Sequence, residues 1–279
     1  MSSPLPDERQ QAILDHLGRN GRVLAAELAG LFGVSEDTVR RDLRDLAEAG
    51  LCRRVHGGAM PLSPQPRGIA ERSRLAPERK QRLARRAAAL VRDAVLPGGL
   101  LFLDAGSTNL AVARALPPNL RIGIVTNMPA IAATLAGTSG LEVISIGGRV
   151  DPEVGGCLGA RALREMSGFR FDMALLGACA VDAEAGLCAF HLEDGEMKRA
   201  AAAVAASVAA VATSDKLGTV APFRVLDPGR LGDLVVEPDV PQDIAAALSA
   251  AGTRLHRADP EEAPARRASD PDRKQDTDR

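Results

Sequence analysis

Tryptophan and tyrosine are absent from this 279-residue chain and phenylalanine occurs only six times. The aromatic platforms on which single-stranded nucleic acid stacks are therefore missing. Cysteine is scarce: Cys52, Cys157, Cys179 and Cys188 lie far apart, with no C-x-x-C pair and no histidine at ligand spacing. That pattern supports neither a disulfide framework nor a zinc site, and no metal or cofactor is expected. No apolar run reaches the roughly 18 residues of a membrane span. The opening MSSPLPDERQ lacks the basic-then-apolar layout of a secretory signal, so a cytoplasmic protein without membrane contact is expected. The Ala-rich stretch from Ala200 to Ala212 reads as a helix running into a strand.

Neither sign of charge dominates, the formal net charge being -1, but the distribution is uneven. Arg40, Arg41, Arg44, Arg53 and Arg54 cluster in one short segment, a local basic footprint of the kind that suits DNA. A hydrophobic content of 46% is enough for a substantial core, and the length suggests two folded units. Four zones are expected: a compact module over 1–60, a Pro-rich linker over 61–76, an α/β body over 77–257 and a charged, disordered tail over 258–279.

In the first zone, Ile13, Leu14 and Leu17 mark one amphipathic helix, and Leu24, Leu28 and Leu31 a second. Gly33 can end that helix in the left-handed conformation, Val34 can pack as a staple and Ser35 can cap the next helix. The third helix turns Val39, Leu43 and Leu46 inward. Asp37, Arg41, Arg44 and Glu48 then point outward, with Thr38 and Arg40 on the flanks. Taken alone, this face suits a solvated helix laced with i,i+4 ion pairs as well as it suits DNA. The tight turn before it, and the LCRRVHGGAM segment that follows like a wing, favour a winged helix-turn-helix that reads duplex DNA.

From Leu100 onward, LLFLD, IGIVT, LEVISI, DMALLG, VAAVAT and LGDLVVE alternate with helical stretches. This implies a mostly parallel sheet with ligands bound beyond its carboxyl ends. The helix starting at Pro77 carries Arg79, Lys80, Arg82, Arg85 and Arg86 on one side, read as an ordinary solvated face. Asp104, Gly106, Ser107 and Thr108 lie at a strand-to-helix turn, where free amides and the helix dipole favour an anion, although a well-capped helix start looks the same. Thr126–Asn127, Gly147–Gly148 and Ser214–Asp215–Lys216 fall at equivalent strand ends, and together such loops suit a polyol phosphate.

The run VSEDTVRRDL, from Val34 to Leu43, with Gly50, Arg54, His56, Gly57, Gly58 and Ala59, resembles the N-terminal signature of the DeoR family of bacterial repressors. The later D-x-G-S-T, T-N, G-G, G-L and K-L-G elements resemble its sensor domain, which is related in fold to ribose-5-phosphate isomerase. The resemblance implies that Ser35, Thr38, Arg40, Arg41 and Arg44 face DNA, with Arg54 and His56 near the backbone or minor groove. Asp42 is expected to orient Arg41 or the wing, since a carboxylate beside phosphate is repelled. It further implies a homo-oligomeric repressor whose effector is a phosphorylated sugar held by Asp104, Gly106, Ser107, Thr108, Thr126, Asn127, Gly147, Gly148 and Lys216. GACAVD and TSDK stand where many members carry an Asp-Gly pair and D-x-S-K, which leaves the effector's identity open. The competing function is a sugar-phosphate isomerase-like enzyme with a DNA-binding appendage. Its candidate groups, Asp182, Glu184, Glu193, Glu196, Lys198 and Lys216, form no recognisable acid/base pair and read as solvated loop charges.

Overall fold

The computed structural model describes residues 5–20, 23–55, 57–61 and 68–259. His56, residues 62–67 of the expected Pro-rich linker and nearly all of the expected tail lie outside the described residues.

The N-terminal module comprises α1 (Pro6–Asn20), β1 (Val23–Leu24), α2 (Ala25–Phe32), α3 (Glu36–Glu48), β2 (Cys52–Val55) and β3 (Gly58–Pro61). The strands form an antiparallel sheet in the order β1-β3-β2, so β2 and β3 are the two sides of a wing. Gly33 ends α2 at φ +63°, and Ser35 Oγ accepts from the Thr38 N–H at 3.2 Å, which sets the tight entry into α3. Ile13, Leu17, Leu28, Val39, Leu43 and Leu46 are buried together, as the inward stripes require. Leu31 departs from expectation at 58% exposure. Because α2 begins only at Ala25, its inward face runs through Ala25, Leu28 and Phe32, and Leu24 belongs to β1.

Asp42 is also placed differently from expectation. It points into the module rather than toward Arg41 or the wing, and accepts from Arg9 of α1 at 2.5 and 3.0 Å with both side chains buried. The two residues lie 33 positions apart, so no local spacing announces the pair.

Two helices, α4 (Ile69–Arg74) and α5 (Pro77–Ala94), lead into the larger domain. There the chain forms β4 (Leu100–Leu103), α6 (Ser107–Ala115), β5 (Ile122–Thr126), α7 (Pro129–Leu135) and β6 (Leu141–Ser145). A small hairpin of β7 (Arg149–Val150) and β8 (Cys157–Leu158) follows, then α8 (Ala160–Met166) and β9 (Phe171–Gly177). The remainder is β10 (Ala180–Asp182), β11 (Gly186–Ala189), α9 (Leu192–Ala203), β12 (Ala205–Val211), β13 (Phe223–Leu226), β14 (Asp233–Val236), α10 (Gln242–Ala250) and β15 (Arg254–Arg257).

Seven of these strands make one parallel sheet, ordered β15-β14-β12-β9-β4-β5-β6. Leu101, Phe102 and Leu103 are each fully buried, as are Ala209, Ala210, Leu234 and Val235. Successive strand residues point to opposite faces, so both faces of the sheet are covered. The six strands read from the sequence all belong to this sheet. The antiparallel set β10-β11-β13, the small hairpin and β15 were not anticipated. From β4 the chain winds outward through β5 to β6, then returns to place β9 on the other side of β4 and continues to β12. The carboxyl ends of β4 and β9 thus form the topological switch point, where a crevice opens.

The basic side of α5 is only partly solvated, contrary to expectation. Lys80 is buried, its Nζ donating to the Leu75 carbonyl at 2.8 Å and to that of Arg72. Arg79 forms a two-pronged pair with Glu237 at the end of β14, and Arg86 meets His256 Nδ1 at 2.9 Å. These cations serve packing, because α5 lies against β9, β12 and β14 and must satisfy charged ends there.

Asp42→Ala should cost about 3–5 kcal/mol of stability, since it removes the buried carboxylate that the Arg9 guanidinium pairs with at 2.5 Å. Denaturant unfolding followed by circular dichroism reads this, and an Arg9→Met/Asp42→Leu double variant should recover most of the loss. A single-variant loss under about 1 kcal/mol would reduce the pair to the level of a surface ion pair.

Candidate DNA-binding surface and ligand cleft

On α3, Arg41 and Arg44 are exposed, and Arg54 is exposed on the neighbouring wing strand β2. Arg40 is exposed too but is held back by Glu36 at 2.6 Å and Asp37 at 3.3 Å. Ser35 serves as the N-cap, and its hydroxyl lies 2.9 Å from that of Thr38. Among the described residues, Arg41, Arg44 and Arg54 form no ion pair, and such exposed cations suit phosphate and guanine contacts. His56 lies outside the described residues. Arg53 faces elsewhere: its Nη1 donates at 2.7 Å to the Ala221 carbonyl of the larger domain.

At the switch point, the start of α6, the end of β9 and the start of α9 enclose a narrow cleft. Gly106, Ser107, Thr108 and Lys216 line it, joined by Arg72, Asn109, Cys179, His191, Asp194 and Lys198. Its free space is about 30 Å³, room for a water or two. Beneath it lies a buried charge arrangement. Lys198 Nζ is 3.0 Å from Asp104 Oδ2 and also pairs with Asp194 Oδ1, and Gly177 N–H donates to Asp104 Oδ2 at 2.8 Å. Burial alone would strip the proton from Lys198, but the attraction of Asp104 and Asp194 outweighs it and raises the ammonium pKa above its ordinary value. Lys216 donates to the Ala178 carbonyl at 2.9 Å, and burial pushes its pKa down.

Of the sequence-predicted effector residues, Asp104 lies under the cleft rather than on its lining. Thr126 and Asn127 are fully buried and do not line it: Asn127 Oδ1 accepts from the Ala105 N–H at 2.9 Å, and Thr126 Oγ1 from that of Met128 at 3.1 Å. Asn127 thereby fixes the loop that carries Gly106. Gly147 and Gly148 also lie off the lining; the Gly147 N–H donates to Glu165 at 2.9 Å.

Sequence reasoning missed Arg72, Asn109, His191 and Asp194, and misjudged Lys198, which is buried rather than solvated. Lys198 and Asp194 are spaced i,i+4 inside a segment of mixed charge, so the spacing matched any exposed helix. Among the former enzyme candidates, Asp182 accepts from the Glu184 and Ala185 N–H groups at 2.8 Å, which closes a turn. Glu193 pairs with Arg149 at 2.9 Å.

Family models match both parts of the chain. The DeoR-like helix-turn-helix domain matches residues 9–65, and the DeoR C terminal sensor domain matches residues 75–237. The glycerol-3-phosphate regulon repressor of Escherichia coli (strain K12) is 36% identical over 194 residues, covering 69% of this chain and 75% of that protein. The HTH-type transcriptional repressor GlcR of Bacillus subtilis (strain 168) is 31% identical over 237 residues, covering 84% and 89%. Among solved structures, the full-length sorbitol operon regulator SorC from Klebsiella pneumoniae is similar with a TM-score of 0.40 and 12% identity, covering 92% of this chain and 97% of that one. Among the described residues, no helix is long and apolar enough to cross a membrane.

Lys198→Met should leave Asp104 and Asp194 facing each other without a cation and lower stability by about 3–5 kcal/mol. Adding Asp104→Asn and Asp194→Asn should restore much of it. If the single variant unfolds at the same denaturant concentration as the parent, Lys198 does not hold the switch point together.

Proposed function

This chain belongs to the DeoR family of bacterial transcriptional regulators, and from that premise we propose that it is a homo-oligomeric repressor of a carbohydrate or polyol catabolic operon, released or retained by a phosphorylated metabolite bound in the switch-point cleft. It is a DNA-binding regulator in architecture, with a winged helix-turn-helix joined to an α/β sensor domain. One observation carries the ligand reading. Among the described residues, the buried side-chain polar atoms left without a hydrogen-bond partner are Arg72 Nε, Asp104 Oδ1, Asn109 Oδ1 and His191 Nε2. Three belong to the cleft lining, and the fourth to Asp104, next to the lining residue Ala105. Unmet buried polar groups are costly, and a hydroxylated ligand would satisfy donors and acceptors alike.

In this reading the α6 N-terminal amides, Lys216 and Arg72 take the phosphate, while Asp194 and Asn109 accept from hydroxyl groups. Asp104 acts from below by holding Lys198 protonated and in place. No enzymatic role is assigned, because Asp182 closes a turn and Lys198 is locked between two carboxylates.

A sugar phosphate cannot enter so narrow a cleft without moving a wall. The starts of α6 and α9 belong to the packed core, whereas Arg72 reaches the cleft from the short helix α4, on which no residue is buried, through bonds to the Glu153 and Val154 carbonyls. Because α4 follows the wing in the chain, its displacement is the proposed signal to the DNA-binding module.

Arg41→Ala should weaken specific operator binding by about 1–3 kcal/mol if Arg41 reads a base. Fluorescence anisotropy measures this, and an unchanged affinity with an intact fold would remove Arg41 from the interface. Lys216→Ala should weaken a phosphorylated ligand more than its dephosphorylated form in calorimetric titration, with amide exchange over 69–75 rising when the parent protein binds. Equal losses for the two ligands would mean that Lys216 does not read the phosphate.

A further inference from the structure

A second cavity lies on the other side of Ser107, between α5 and α6, with a volume of about 380 Å³. It has the size of a small-molecule site, which the closed cleft does not. Its walls follow two helix faces: Lys80, Gln81 and Arg85 on α5, and Ser107, Leu110 and Arg114 on α6. Each set follows the three-to-four-residue repeat of one helix side, so both faces run along the same groove. From Ser107 to Arg114 the groove is about 10 Å long at the rise of an α-helix.

The charge of this groove is unbalanced. Lys80, Arg85 and Arg114 line it, and no carboxylate does. Arg85 and Arg114 are exposed and make no side-chain hydrogen bond or ion pair among the described residues. Lys80 is buried, and its ammonium is spent on backbone carbonyls rather than on a counter-ion. Burial, with Lys216 and Arg72 nearby, pushes its pKa down to about 8. Asp215 offsets part of the Lys80 charge and an anion would offset more, while the Arg85 and Arg114 guanidiniums that line the groove can hold a phosphate through N–H donors. The floor of Leu110 and Ala111 leaves room for a short carbon body between the charged ends.

We infer that the α5–α6 groove is a second ligand site, which takes a small phosphate ester independently of the switch-point cleft. Arg85 and Arg114 hold the phosphate, and Ser107 and Gln81 offer hydrogen bonds to the body of the ligand. The site also bears on α4, because Lys80 holds the Arg72 and Leu75 carbonyls at the end of that helix and Ser73 of α4 lines the groove. A ligand in the groove therefore bears on α4 at Ser73, beside the Arg72 that lines the cleft.

Calorimetric titration with inorganic pyrophosphate and with triose and hexose mono- and bisphosphates tests this on the full chain. An Arg85→Gln/Arg114→Gln variant should bind the groove-selective probe at least tenfold more weakly, while Lys216→Ala should leave that probe's affinity within about twofold. These surface changes also leave operator affinity without ligand unaltered. If no probe binds the parent, or if every probe that binds is lost in Lys216→Ala and unaffected in the double variant, the groove is not a ligand site. A parallel tenfold loss of operator affinity in the double variant would make it a DNA surface and overturn the inference as well. Because the cleft reading is scored by Lys216→Ala and the groove by the arginine variant, either can fail alone.

Discussion

The buried arrangement of Asp104, Lys198 and Asp194 is the constraint on which the sensor domain turns. Two carboxylates and one ammonium, none more than 2% exposed, sit where β4 ends, β9 ends and α9 begins. Such a set is stable only while complete, since each charge removed leaves others unpaired in a poorly solvating interior. It pins together the elements that diverge at the switch point. Gly177 has little room for a side chain there: an added Cβ would lie 2.8 Å from the Ala105 carbonyl oxygen. The geometry that makes a cleft is thus enforced by charge and by close backbone approach.

Among the described residues, hydrogen bonds tie both the wing and α4 to the body of the sensor domain. Arg53 of β2 donates to the Ala221 carbonyl, just before β13. β13 pairs with β11, whose end leads to Phe190 and His191 at the cleft. On the other side, Arg72 of α4 reaches the loop at Glu153 and Val154, and Lys80 holds the helix end. A chain of packed and bonded elements is a physical route for coupling only where both ends bias it. Here the cleft residues lie at one end and the wing at the other.

Much of this was legible in the sequence because it is local. The caps at Gly33 and Ser35, the inward stripe of α3 and the six apolar strands each express a short-range rule of dihedral preference or periodicity. What escaped was non-local or masked by charge. Asp42 finds Arg9 across the module, and Lys198 finds Asp104 across the sheet. β15 reads Arg-Leu-His-Arg, without apolar alternation, because it is an edge strand whose Arg254 and His256 pair with Asp233 on β14. Helix α4 sits where prolines pointed to a linker, and its residues are polar because it covers a cleft edge rather than filling a core. Of the four polar strand-end loops, those at Gly106 and Lys216 reach the cleft, whereas Asn127 and Gly147 spend their polar atoms on internal bonds.

The narrowness of the cleft bears on how a regulator of this build is tuned. A ligand shifts an equilibrium only by its difference in affinity for the two states. If, as proposed, the cleft admits its ligand only when α4 moves, that requirement supplies the difference. Coupling is reciprocal: if operator binding holds α4 seated, it must weaken the effector by the factor by which the effector weakens operator binding. Lys80 then matters in both balances. It is the buried cation that holds the end of α4, and it does so through the Arg72 and Leu75 carbonyls.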